Sequence, residues 1–305
     1  MQAYSENVFK TNFPVMGTKN ELVSVCIPTY NGARFLKEAL LSVNSQTYQF
    51  IEIIVSDDQS SDDTLNIVND FTAIARFPLK IYHHKPNGIA ENWNHCIQKS
   101  KGTYIKFLFQ DDVLMPECIE KMVVAINEND NTALIASKRI IVVEEDTDKK
   151  YAEHWISGFG DLQKGIDGTE SCVILNKNFI KTKQFLESPV NKVGEPSLFL
   201  FRKELISEIG YFQNTFPQLL DYEFCLRIMK KYNIIILSDQ LVGFRLHSNQ
   251  ATSVNLEKQK ETNRFKRMVF YTYFLNLGWK NRKQLFFDYT RLGKLLVKVK
   301  HSIVK

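Results

Sequence analysis

The chain has 305 residues, 44% hydrophobic and 24% charged, an ordinary globular composition that suits one large domain or one domain with an appendage. Met1 to Asn7 lacks a charged-then-apolar signal pattern, and aliphatic runs such as Ile140–Val143 and Ile234–Leu237 are far too short to cross a bilayer, so a cytoplasmic protein is expected. The net charge of +5 is unevenly placed: residues 256–305 hold 13 Lys and Arg against 3 Asp and Glu, which leaves the remainder acidic. Five cysteines (Cys26, Cys96, Cys118, Cys172, Cys225) form no C-x-x-C pair, which argues for reduced core residues and against a zinc site.

After an N-terminal extension over residues 1–20, strand and helix patterns alternate from 22 to 143. Leu22–Ile27 reads as a strand that enters the turn Pro28-Thr29-Tyr30-Asn31-Gly32. A helix over Ala33–Asn44 places Phe35, Leu36, Ala39, Leu40 and Val43 on one face. Ile51–Val55 is a second strand, and Asp62-Asp63-Thr64 opens a helix with acids where its dipole favours them. Leu79–His83 is the third strand; Asn87-Gly88 is a turn, and Ile89–Lys99 a helix. Tyr104–Phe109 is the fourth strand, Pro116–Glu128 a helix and Ala133–Val143 the fifth strand. Such alternation predicts parallel βαβ units, hence an α/β, Rossmann-like sheet. Neither G-x-G-x-x-G nor G-x-x-x-x-G-K-[ST] is present, which removes the dinucleotide and P-loop fingerprints. Residues 144–192 read as loops, short helices and a strand facing substrate. Regular patterns return at Ser197–Phe201, with helices over Lys203–Ile209 and Asp221–Lys231 and strands over Ile234–Leu237 and Val242–Leu246. From Leu256 onward the chain reads as two helical segments divided near Gly278.

Three polar clusters fall at the carboxyl ends of parallel strands: Pro28-Thr29-Tyr30-Asn31, Asp57-Asp58 and Asp111-Asp112. Open α/β sheets bind ligands at that edge. A ring there can stack on a base, and a carboxylate can accept a base N–H. Two adjacent acids repel unless a cation lies between them, and Mg²⁺ and Mn²⁺ prefer carboxylate oxygen. Each cluster alone also reads as a helix cap or a solvated turn; three in register point to a nucleotide cleft.

Val23–Gly32, Ile53–Thr64 and Gly102–Asp112 resemble family 2 glycosyltransferases of GT-A fold, and the ordered resemblance covers roughly residues 20–250. The resemblance implies a GT-A sheet flanked by helices, with a nucleotide-sugar half over 21–143 and an acceptor and catalytic half over 144–255. It implies nucleotide contacts at Pro28, Thr29, Tyr30, Asn31, Asp57, Asp58, Asn87, Asn92 and Gln110, with Thr29 and Tyr30 at uracil and Asp58 reading its N3–H. It places a divalent metal, Mn²⁺ or Mg²⁺, on Asp111, with Asp112 beside it and His247 either completing the shell or contacting the diphosphate. Asp221 matches the catalytic base of inverting members, which takes the acceptor hydroxyl proton. Glu195, Trp93 and Arg245 are the implied substrate contacts. Two positions depart from the family pattern: Phe109 stands where the first acid of the metal motif is usual, and Leu220 where a Glu usually precedes the base.

The expected activity is transfer from a nucleotide-diphosphate sugar, UDP-linked by the resemblance, to a saccharide or lipid-linked saccharide in surface glycan synthesis. A nucleotidyltransferase would show a Gly- and basic-rich phosphate loop after the first strand, and Pro28–Gly32 is not one. Phe109 and Leu220 motivate a third alternative, a binding or scaffold protein with a decayed site. The basic tail over 256–305 has two readings: a membrane-surface element at the inner face of the cell membrane, or helices packed on the catalytic domain or a second copy. No nucleic-acid module is recognised in it.

Overall fold

The computed structural model describes residues 21–248 and 255–303, so the N-terminal extension lies outside the described residues. Strands β1 (Val23–Thr29), β2 (Ile51–Asp57), β3 (Leu79–His83) and β4 (Tyr104–Phe107) pair in parallel in the order β3-β2-β1-β4. Every residue of β1, β2 and β4 is buried. This is why they read as continuous apolar runs: a parallel strand is covered on both faces by its crossover helices. Those helices are α1 (Leu36–Asn44), α2 (Thr64–Phe71) and α3 (Ile89–Lys99). Helix α1 starts at Leu36, three residues later than its periodicity predicts, because Ala33 to Phe35 form a turn whose N–H groups bond back toward Gly32 and Asp62.

Beyond β4 the sheet departs from the simple alternation. After a two-residue strand β5 (Val113–Leu114) and helix α4 (Cys118–Glu128) comes β6 (Thr132–Val143), the expected fifth strand. It does not lie next to β4. The short strand β8 (Leu200–Arg202) inserts between them, antiparallel to both. The regions expected as separate strands near 234–237 and 242–246 are one strand, β9 (Asn233–Leu246), parallel to β6 with register irregularities around Ser137–Arg139. Strand β7 (Cys172–Leu175) covers the first half of β9's outer edge and β5 the second. The residues before and after position 144 therefore share one sheet, joined by the β4–β8 and β6–β9 pairings.

Helix α5 (Lys149–Phe159) is capped by Asp148, whose side chain accepts the Tyr151 N–H, and it seats Ala152 and Trp155 against Phe244 and Leu246. Helices α6 (Leu205–Ile209) and α7 (Leu220–Met229) follow β8. All five cysteines are free and buried, as expected for core thiols. The tail forms α8 (Asn255–Tyr273), α9 (Trp279–Tyr289) and α10 (Arg291–Ile303), with the predicted break at Gly278 and a second one at Thr290. Phe265, Val269, Phe270, Tyr273, Leu277 and Leu285 are buried and belong to the main core. Of the two readings of the tail, packing on the catalytic domain thus holds for α8 and α9. No helix of the described residues is long and apolar enough to cross a membrane.

Candidate nucleotide and transfer site

The register sets Thr29 opposite Asp57 and Asp57 opposite His83, so the ends of β1, β2 and β3 form one level edge. Asp57 is fully buried beneath it. Its carboxylate accepts the Thr29 hydroxyl (2.9 Å), the Ser60 hydroxyl (2.6 Å) and the Ser60 N–H (2.9 Å). With that set of donors, Asp57 holds the turn rather than reaching a ligand, a correction to its expected contact. Asp58, one residue on, keeps a partly exposed carboxylate with Oδ1 2.5 Å from His84 Nδ1. His84 in turn lies against His95, ring centroids 4.9 Å apart, and His95 Nδ1 pairs with the Ser56 hydroxyl at 2.7 Å. Burial, the largest cause, and then the neighbouring His84 hold His95 below the usual imidazole range.

Tyr30 is 59% exposed at the same edge, and Pro28 beside it is buried. The Gln110 side-chain amide fixes the Tyr30 backbone by accepting its N–H (2.9 Å) and donating to its carbonyl (3.1 Å). Gln110 thus ties the β1 turn to the segment after β4. Asn31 takes a positive φ of 48°, which its short polar side chain tolerates, and its Oδ1 accepts the Ser61 N–H at 2.8 Å. Asn92 is buried on α3 with its amide near the Thr29 carbonyl, and Asn87 is exposed before that helix. Trp93 is not at the cleft. It is packed among Phe107, Phe109 and Phe212, so its expected substrate contact is replaced by a core role. The same contact explains Phe109: the ring that replaces an acid lies on Trp93, centroids 5.0 Å apart.

Asp111 and His247 meet at the end of β9, with Oδ2 and Nε2 3.2 Å apart. Asp112 turns inward. It is 2% exposed, its Oδ1 accepts the Arg245 N–H, and burial, then the Asp111 charge, push its carboxyl well above the usual range. Its Oδ2 has no hydrogen-bond partner among the described residues, and the negative charges of Asp111 and Glu195 act on it. Arg245 is committed: its guanidinium pairs with Glu144 and Glu38, donates to the Asp111 carbonyl (2.9 Å) and lies over Phe35. It positions the Asp111 segment instead of extending to substrate.

The residues fit a cation only in part on their own. Among the described residues no group of three or more His, Cys, Asp or Glu is placed to hold a metal. One carboxylate and one imidazole do suit an ion that takes its other ligands from water and a diphosphate, as Mg²⁺ and Mn²⁺ do.

Asp221 lies in the first turn of α7, where a negative charge is favoured by the helix dipole. Its Oδ2 accepts from Asn191 Nδ2 at 3.0 Å. The same Asn191 amide donates to the Gly194 carbonyl, and its Oδ1 accepts the Val193 and Gly194 N–H groups. Asn191 therefore joins the base candidate to the Gly194–Ser197 loop. That loop reaches the metal-motif segment, because the Ser197 hydroxyl accepts the Phe109 N–H at 2.9 Å and the buried Lys106 ammonium donates to the Ser197 carbonyl. Glu195 is held by Arg139, whose guanidinium lies against the stacked pair Trp155 and Phe244, 5.2 and 4.6 Å from their ring centroids. His84, Asn191, Arg139 and Glu144 are structural partners of the site that sequence reading missed. Each pairs with a residue distant in the chain, and no local pattern marks it.

The model of the family described as glycosyl transferase family 2 matches residues 24–210. The chain belongs to that family. This glycosyltransferase is 27% identical over 256 residues to an uncharacterised glycosyltransferase of Haemophilus influenzae, covering 84% of this chain and 75% of the relative. Its fold is that of GT-A enzymes. Staphylococcus aureus TarS 1–349 in complex with UDP-GlcNAc superposes with a TM-score of 0.64 at 19% identity, over 91% of this chain and 76% of that one. The mannosyltransferase PcManGT of Pyrobaculum calidifontis, in complex with GDP-Man and Mn²⁺, superposes with a TM-score of 0.56 at 15% identity, over 83% and 64%.

Proposed function

We propose that this glycosyltransferase moves a sugar from a UDP-linked donor to a saccharide or lipid-linked saccharide, with inversion and with a divalent metal, in surface glycan synthesis. One observation carries the reading. A continuous set of contacts runs from the exposed Tyr30 through Gln110 and the Phe109–Ser197 bond to Asn191 and Asp221. A base platform, a diphosphate end and a carboxylate are thereby tied to one edge of one sheet. The solved GT-A neighbours, one holding UDP-GlcNAc and one GDP-Man with Mn²⁺, support the donor class and the metal.

Tyr30 offers its ring to the base, and Asp58 accepts the imide N–H with the carboxylate that His84 steadies. Asp111 and His247 would hold the cation, which when bound supplies positive charge at the departing diphosphate. Asp221 receives the acceptor hydroxyl proton as that oxygen displaces the nucleotide in line. Asn191 fixes the orientation of the carboxylate that does this.

Two variants test the assignment, assayed by nucleotide release with UDP-, dTDP- and GDP-sugars and by donor binding. Asp221→Asn is expected to lower transfer by roughly 10²- to 10⁴-fold, the range of general-base catalysis, while donor affinity is kept. Asp111→Ala is expected to lose both transfer and the metal-dependent part of donor binding. Full transfer by either variant overturns the assignment. Donor binding by the wild-type chain with no turnover across the panel favours the scaffold reading instead.

A further inference from the structure

The tail's two readings separate at α10. The first part of the tail is spoken for: α8, α9 and the link between them contribute Phe265, Val269, Phe270, Tyr273, Leu277 and Leu285 to the main core, and Asn281 donates to the Thr182 carbonyl at 2.7 Å. Helix α10 is different. Leu292, Leu295 and Leu296 are 58%, 57% and 46% exposed, and none of them joins or packs against the core.

Their spacing puts the three leucines on one stripe of the helix. Arg291, Lys294 and Lys298 repeat at i, i+3 and i+7 along the neighbouring stripe, and α10 contains no acidic residue. The helix is also seated rather than loosely attached. Gly293 meets α9 so closely that a Cβ there would fall well inside 3.0 Å of the Phe286 carbonyl oxygen, and its N–H donates to the Thr290 hydroxyl at 2.9 Å. At 100° per residue, Leu292, Leu295 and Leu296 sit about 100°, 160° and 60° around the helix from Gly293, and their exposures show that the contact fixing the helix still leaves all three outward. Leu275, in the α8–α9 connection, and Trp279, the first residue of α9, add exposures of 83% and 75% to the same C-terminal unit.

We propose that α10 lies on an anionic bilayer surface, with its leucine stripe at the headgroup–acyl boundary and its basic stripe against lipid phosphates. The charge pattern selects this occupant. Apolar area with flanking cations is what an interfacial helix needs, and each basic residue near an anionic leaflet strengthens binding about fivefold. A second copy of α10 would instead bring rows of like charge together. The inference is independent of the donor and acceptor assigned above, since lipid binding is read without any transfer assay.

The test is co-sedimentation of the full chain with phosphatidylcholine vesicles, with and without phosphatidylglycerol. The wild-type chain is expected to pellet with the anionic vesicles and to bind neutral ones about a hundredfold more weakly, the product of three cations at about fivefold each. Leu295→Asp combined with Leu296→Asp is expected to abolish pelleting. Lys294→Glu combined with Lys298→Glu is expected to weaken anionic binding by at least 20- to 30-fold on the same scale. Both variants should keep UDP affinity and thermal midpoint, because neither pair belongs to the core. Failure of the wild-type chain to pellet, or equal pelleting by the leucine variant, overturns the proposal. So does a dimer by light scattering that the leucine substitutions dissolve while vesicles are ignored; that outcome gives the stripe to a second copy.

Discussion

Gly32 offers a direct test of how the base platform is held. A Cβ at Gly32 would fall well inside 3.0 Å of the Gln110 side-chain carbonyl and 3.1 Å from its Cβ. Gly32 is not among the residues of positive φ, so alanine is compatible with its backbone. Gly32→Ala therefore acts through space alone: it evicts the Gln110 amide from the Tyr30 backbone. Two neutral hydrogen bonds at about 0.5–1.5 kcal/mol each give a loss of about 1–3 kcal/mol. If that loss falls on the bound state through a loosened Tyr30, UDP affinity drops by roughly 5- to 150-fold. Isothermal titration with UDP reads it. Gln110→Ala should weaken binding by the same amount, and the double variant should be no worse than either single one, because both remove one amide. Additive losses, or wild-type affinity in Gly32→Ala, would refute the reasoning.

Phe265→Ala removes a fully buried ring that meets Phe216 edge-on at 5.6 Å and Tyr222 at 5.7 Å; a loss of about 3–5 kcal/mol is expected in urea denaturation, and a loss within the range of a surface substitution would show that α8 is not part of the core. Tyr104 and Tyr273 have phenols pushed up to about 12, chiefly by burial. Because their folded values lie above the ordinary value of 10.0, the stability they carry is whole below that value and is lost as pH rises toward about 12. The fully buried Tyr222 is raised as well, so phenolate absorbance should show a group of late-titrating tyrosines that accompanies alkaline unfolding, and Tyr104→Phe should remove one member; a Tyr104 that titrates with the exposed tyrosines would contradict the burial argument.

The site was only partly legible in the chain. Tyr30, Asp58, Asp111, His247 and Asp221 come from short segments at strand or helix ends, where spacing and residue type carry information; the structure joins Tyr30 to the segment after β4 through Gln110 and Asp111 to His247. Asp112, Trp93, Asp57 and Arg245 came from equally suggestive positions but face the interior or are bound by neighbours. A linear pattern identifies a strand end; it does not say which of two successive side chains points outward once the strand stops. The partners that orient the site, Gln110 on Tyr30, His84 on Asp58 and Asn191 on Asp221, are separated by 80, 26 and 30 residues, so no local period records them.

By itself, the sequence determined the alternating βα units, their continuous apolar strands and the polar ends of β1, β2 and β4, because burial on two faces demands apolar runs and turns demand polar residues. It also determined that the tail is basic and helical. Only the tertiary structure decided that β8 separates β4 from β6, that Phe109 is filled in by Trp93, and which part of the tail is core. These depend on which surfaces meet. Hydrophobic burial is non-directional, so a leucine in α9 and a leucine in α10 look alike until the chain folds and only one finds the core.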